Sequence, residues 1–146
     1  MIEPKQFADI FNMFHDGSII AIKRQEDVLI LTIEIEYIAE LVNPQYKVFF
    51  VHLFDAKDVS LTAWYKSDSE QRKVFTELEE IAKLEPEILS AELVSKRVSI
   101  SCDLHKDFTY GELTFNANSL TILDENNKEI TQESFKELCE SYWTNF

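Results

Sequence analysis

Period-two alternation of apolar and polar residues is the feature that most restricts the fold of this chain. Between residues 28 and 36, Leu29, Leu31, Ile33 and Ile35 fall on one side of an extended strand, and Thr32, Glu34 and Glu36 fall on the other. A strand with one buried and one wet face suits an antiparallel sheet, because parallel sheets are covered on both faces. The preceding segment, 18–24, is joined to it by the short polar turn Gln25-Glu26-Asp27, as in a hairpin.

The run from 46 to 54 is apolar on both faces and rich in aromatic and β-branched residues, which predicts a central strand with His52 inside it. Residues 59–65 follow as a fourth strand. Segments 88–94, 98–104, 110–117 and 120–123 read as four more, separated by polar turns.

Three stretches have the helical period instead. Phe7, Ile10, Phe11 and Phe14 recur at i, i+3, i+4, i+7 behind Pro4, and His15-Asp16-Gly17 ends that helix, with Gly17 expected in the left-handed conformation. Ser67-Asp68-Ser69-Glu70 matches a capping box. Val74, Phe75, Leu78, Ile81 and Ala82 then predict a middle helix running to Glu85-Pro86. Thr131 is placed to cap a last helix, with Phe135, Leu138, Cys139, Tyr142 and Trp143 on one face, running nearly to Phe146. The expectation is a single α+β domain over residues 1–146, with a mainly antiparallel sheet of about seven or eight strands and three helices, N-terminal, middle and C-terminal.

Composition narrows the functional classes. The chain has 27 acidic against 14 basic residues, a formal net charge of −13 spread over both halves. Such a surface repels a phosphate backbone, so nucleic acid is not an expected partner, whereas a basic protein would be steered toward it. Two glycines disfavour a phosphate-cradling loop. Cys102 and Cys139 are far apart and have no C-x-x-C spacing, so they read as reduced, buried thiols. With no basic and apolar leader and no long apolar run, the expected location is the cytoplasm, without membrane contact.

Few residues suggest chemistry. His15-Asp16 sets an imidazole beside a carboxylate, as a general base or half of a metal site needs, although ending a helix explains the same pair. Ser99, Ser101, Asp103 and His105 alternate along one strand face. Asp103 and His105 would then stand about 6.6 Å apart at the backbone and share a ligand, but no G-x-S-x-G turn accompanies them and a solvated face accounts for the alternation. No catalytic set and no cofactor is expected.

The segment Phe14-His15-Asp16-Gly17-Ser18-Ile19 before the hairpin resembles a group of small bacterial proteins that carry an FHD-type motif ahead of a hairpin, some of which look like immunity proteins of toxin systems. The likeness covers residues 10 to 60, and Gly111-Glu112-Leu113-Thr114-Phe115 with Tyr142-Trp143 is similar in style. It implies a small cytosolic α+β protein that binds and blocks a partner, and it assigns no catalytic residue. The leading expectation is therefore a non-enzymatic, acidic protein-binding domain, monomer or homodimer. Glu34 and Glu36 would steer a basic partner, with Trp64 and Tyr65 as aromatic anchors. The alternative is a small-molecule or metal site in a sheet cleft near His15, Asp16, Asp103 and His105.

Overall fold

The computed structural model describes residues 1–144. Among them, ten strands form one antiparallel sheet: β1 (Ser18–Gln25), β2 (Val28–Glu34), β3 (Val48–Phe54), β4 (Lys57–Tyr65), β5 (Arg72–Phe75), β6 (Glu87–Val94), β7 (Arg97–Asp103), β8 (Phe108–Asn116), β9 (Ser119–Leu123) and β10 (Glu129–Ile130). Four helices accompany them: α1 (Phe7–Met13), α2 (Glu36–Val42), α3 (Leu78–Lys83) and α4 (Gln132–Thr144). The α+β class, the antiparallel sheet and the N-terminal, middle and C-terminal helices agree with the sequence reading. Among the described residues no helix is long and apolar enough to cross a membrane.

The strand order is β10-β9-β3-β2-β1-β6-β7-β8-β4-β5. Only two residues, Asp55 and Ala56, separate β3 from β4, although the two strands stand six places apart in that order. Only Ala117 and Asn118 separate β8 from β9. Since β3 pairs with β9 and β4 pairs with β8, these four strands make one long two-stranded ribbon that bends at Asp55-Ala56 and Ala117-Asn118. The sheet must therefore curl back toward itself. Its concave side holds α1, whose Phe11 meets Phe115 of β8 at 5.7 Å and whose neighbour Phe14 meets Phe49 of β3 at 6.0 Å between ring centroids. Phe7, Ile10, Phe11 and Phe14 are all buried. Asn12 ties α1 to β6, donating from Nδ2 to Ala91 O at 3.0 Å and accepting from Ala91 N at 2.8 Å.

β1 and β6 join through a short seam. They share the register pair Ser18↔Glu87, flanked by Asp16 N donating to Ile88 O, Ile88 N to Gly17 O and Ile19 N to Pro86 O. The edges are the short β10 and β5. Short edges, with Arg72 and Lys73 on β5, discourage pairing with other chains.

Four local readings are corrected. First, β2 stops at Glu34 and Glu36 opens α2, so Glu34 and Glu36 do not share a strand face. Second, the middle helix starts at Leu78. The expected capping box is a turn in which Asp68 Oδ1 accepts from Glu70 N at 3.0 Å, and Arg72–Phe75 pair with the open edge of β4. Val74 and Phe75 suit either period, and the unpaired edge of β4 decides for the strand. Third, Asp16 rather than Gly17 takes the left-handed conformation, with φ 74°; neither glycine has positive φ. Asp tolerates that region through local hydrogen bonding. Fourth, α2 and β10 had no counterpart in the sequence reading. The α4 cap agrees with it: Ser134 N donates to Thr131 Oγ1 at 3.1 Å. The expected run of α4 beyond Thr144 lies outside the described residues.

The loop after β9 is organised by Asp124, a buried carboxylate. Its Oδ1 accepts from the backbone of Asn126 at 2.8 Å and of Lys128 at 3.0 Å. Its neighbour Glu125 accepts from the backbone N–H groups of Lys47 and Val48, stapling the loop to the start of β3. Asp124→Ala leaves two donors without their acceptor and is expected to lower stability by about 1–2 kcal/mol in urea unfolding, while Asp124→Asn, which keeps an acceptor oxygen, recovers most of it. Equal losses in both variants would show that charge rather than acceptance holds the loop.

Candidate protein-binding surface

α2 and α4 lie against each other through Tyr37 and Tyr142, whose rings are 4.4 Å apart. α4 has the helical period, with Phe135 and Cys139 facing the core. Trp143, which the same periodicity places on the buried face, is 49% exposed. On α2, Ile38 and Ala39 are buried while Leu41 and Val42 are 44% and 37% exposed. The two helices together present five exposed glutamates, Glu36, Glu40, Glu133, Glu137 and Glu140, against one lysine, Lys136. That lysine lies 4.0 Å from Glu140. Large apolar side chains thus stand in water inside a frame of negative charge.

A groove of about 480 Å³ runs between the end of α2, α4 and β10. Val42, Ile130 and Leu138 supply apolar wall, Glu129 and Glu137 supply charge, and Lys128 is the single cation of the lining. On the other side of α4, a cavity of about 450 Å³ is lined by Met13, His15, Cys139 and Trp143 among others. The His15 ring stacks on Trp143 at 5.5 Å and 17°. Its Nδ1 lies 2.8 Å from Asn12 O, a pure acceptor, so Nδ1 carries a proton and donates. Tyr37 OH donates to His15 O at 3.2 Å. Burial above all, with the Asp16 carboxylate next, pushes Tyr37 up to about 12, and burial pushes Cys139 up to about 11. Both keep their protons near neutrality, and Cys139 has little thiolate character.

The remaining singled-out residues are scattered. Glu34 is exposed at the end of β2 and Glu36 at the start of α2. Trp64 packs at a tilt on Tyr110 at 5.3 Å on the outer face of β4, and Tyr65 packs on Phe108 at 4.7 Å. Four strands separate β4 from β2 in the sheet, so Glu34 and Trp64 are not neighbours along it. Asp103 ends β7 opposite Tyr110, whose OH donates to Glu112 at 3.0 Å and lies 3.1 Å from Ser101 Oγ. His105 is exposed on the following turn. Of the alternative set His15, Asp16, Asp103 and His105, only His15 lines the cavity beside α4. No group of three or more His, Cys, Asp or Glu among the described residues is arranged to hold a metal ion. His52 sits half-buried on the outer face of β3, and burial lowers its pKa.

Sequence reasoning reached His15 and Trp143 but not Leu41, Val42 or Tyr37. The alternation of Ile33 and Ile35 carries past the point where β2 gives way to a helix shorter than two turns, too short for its own period to show. Compared with protein-family models, curated proteins and solved structures, the chain matches none.

Proposed function

We propose that this is a non-enzymatic, acidic binding protein of the immunity-like or regulatory kind, and that a basic protein is its partner. The observation that supports this reading is the exposure of Leu41, Val42 and Trp143 on two helices that are otherwise rich in glutamate. Exposed aromatic and aliphatic side chains serve as anchors once a partner excludes water, and the surrounding carboxylates accelerate encounter with positive charge. The groove offers a seat for an apolar side chain flanked by lysine or arginine.

The test places a photo-crosslinking residue at Val42, or at the more exposed Val74 of β5 as control, in source-cell lysate. One basic protein is expected at Val42 and not at Val74. With that protein purified, Glu129→Lys/Glu137→Lys is expected to weaken binding about tenfold at low salt, and less at high salt. Equal capture at both positions, or an affinity that ignores the charge reversal, refutes the surface assignment.

A further inference from the structure

The bend of the long ribbon creates a concavity that is independent of the acidic groove. Asp55 turns at φ 54° between β3 and β4, Ser95 turns at φ 59° between β6 and β7, and Pro4 and Lys5 close one side. The cavity measures about 570 Å³, within the size range of small-molecule sites.

Its charge is opposite to that of the rest of the molecule. In a chain of net charge −13, three lysines, Lys5, Lys57 and Lys96, line this one cavity. The single carboxylate of the lining, Asp55, is engaged: its Oδ2 accepts from Asn118 Nδ2 at 2.9 Å. Lys5 meets Glu3 at 3.6 Å with both side chains largely in water, a weak pair. Lys57 and Lys96 form no ion pair among the described residues. The nearby cation Arg97 is already committed, donating to Asp58 O at 2.9 Å and Thr114 Oγ1 at 2.8 Å. Recorded ion pairs involve Lys5, Arg97 and Lys136, so what sets this wall apart is the gathering of three lysines around one concavity rather than their lack of partners. Lysines gathered around a concave wall focus a positive field into it.

Two further features fit a ligand. Asn116 lines the same cavity, and its Oδ1 is buried with no partner among the described residues. An amide at the wall can donate from Nδ2 to an anion seated beside it. Pro4, Leu93 and Ala117 give the cavity an apolar side.

We propose that this cavity binds a small organic anion, with a phosphate or carboxylate head among Lys5, Lys57 and Lys96, Asn116 beside it, and an apolar body against Leu93 and Ala117. The test is an amide-resolved NMR titration with phenyl phosphate, benzoate and neutral benzyl alcohol. At least one of the two anions is expected to give saturable shifts at Leu93, Lys96, Ala117 and Asn118, and which of them does so identifies the head group. Benzyl alcohol is expected to leave those amides in place. Lys57→Gln/Lys96→Gln should weaken the anion about tenfold or more, whereas Lys66→Gln/Lys106→Gln, which removes the same charge elsewhere, should not. Amide dispersion in each variant reports that it is folded, and raising the salt on the unaltered protein should weaken binding without any substitution. Absence of saturable shifts, equal loss in both double variants, or equal binding of benzyl alcohol overturns the proposal.

Discussion

Phe14→Ala is expected to reduce the unfolding free energy by about 3–5 kcal/mol. Phe14 is fully buried where α1 ends, with Phe135 of α4 at 4.5 Å and Phe49 of β3 at 6.0 Å, and those two rings are 5.2 Å from each other. Three elements far apart in the chain meet through these rings. Truncation removes the burial of one ring and the face and edge contacts it makes with two others, each worth about 0.5–1.5 kcal/mol beyond area alone. The cavity left behind is hard to fill, because β3 is held by hydrogen-bonded partners on both sides and cannot move in. Denaturant unfolding measures the loss. Trp143→Ala on α4 is the comparison: its half-exposed ring, which still stacks on His15, should cost about 1–2 kcal/mol, less than Phe14→Ala, while impairing partner capture. A loss below about 1 kcal/mol for Phe14→Ala would mean that the three rings do not form a shared core.

The second large effect is expected at Gly17. A Cβ added there would lie 2.9 Å from Ile33 Cγ2 and 2.9 Å from the carbonyl oxygen of Phe14. The backbone has little room to retreat, since Gly17 N donates to Phe14 O and Gly17 O accepts from Ile88 N at 2.7 Å. Gly17→Ala must therefore push a β-branched neighbour and a backbone carbonyl at once, for about 2–3 kcal/mol. At Gly111 the added Cβ would meet Leu104 Cδ1 at 2.8 Å and Leu61 Cδ1 at 3.1 Å, the ends of side chains that can rotate. Gly111→Ala is expected to cost about 1 kcal/mol, since alanine loses less backbone entropy on folding than glycine and so offsets part of the clash. The ordering is the decisive result: a Gly111→Ala loss larger than that of Gly17→Ala would show that the α1–β1 junction yields more easily than its hydrogen bonds imply.

The sequence carried the parts of this fold that are written locally. The alternation of Leu29, Leu31 and Ile33, and the helical spacing of Phe7, Ile10, Phe11 and Phe14, each specify one buried face and are found as read. What it did not carry is set by partners distant in the chain. Arg72–Phe75 is a strand because β4 offers an open edge, and Glu36–Val42 is a helix because Tyr37 and Ile38 pack against neighbours no local window contains. The ends of the helices were least legible. With only two glycines, the left-handed positions after α1 and α3 fall to Asp16 and Glu85, those between strands to Glu26, Asp55, Ser95, Lys106 and Asn127, and one within β4 to Asp58. Of these, the glutamates, Ser95 and Lys106 give little warning of that conformation. The surface on α2 and α4 was half legible for the same reason: periodicity points to Trp143 but places it inward, and only the packing of α4 leaves it in water.

The bent ribbon has a consequence for how the chain is made. As the polypeptide leaves the ribosome, β1, β2 and β3 can associate at once, but one side of β3 is paired by β9, which is synthesised only after β4 through β8. Throughout that interval Phe49, Val51 and Leu53 lie beside a row of unpaired N–H and C=O groups, an invitation to pair with other chains. Nascent chains stalled before Leu120 should therefore be captured by strand-binding chaperones, and release of a few more residues, through Leu123, should end that capture.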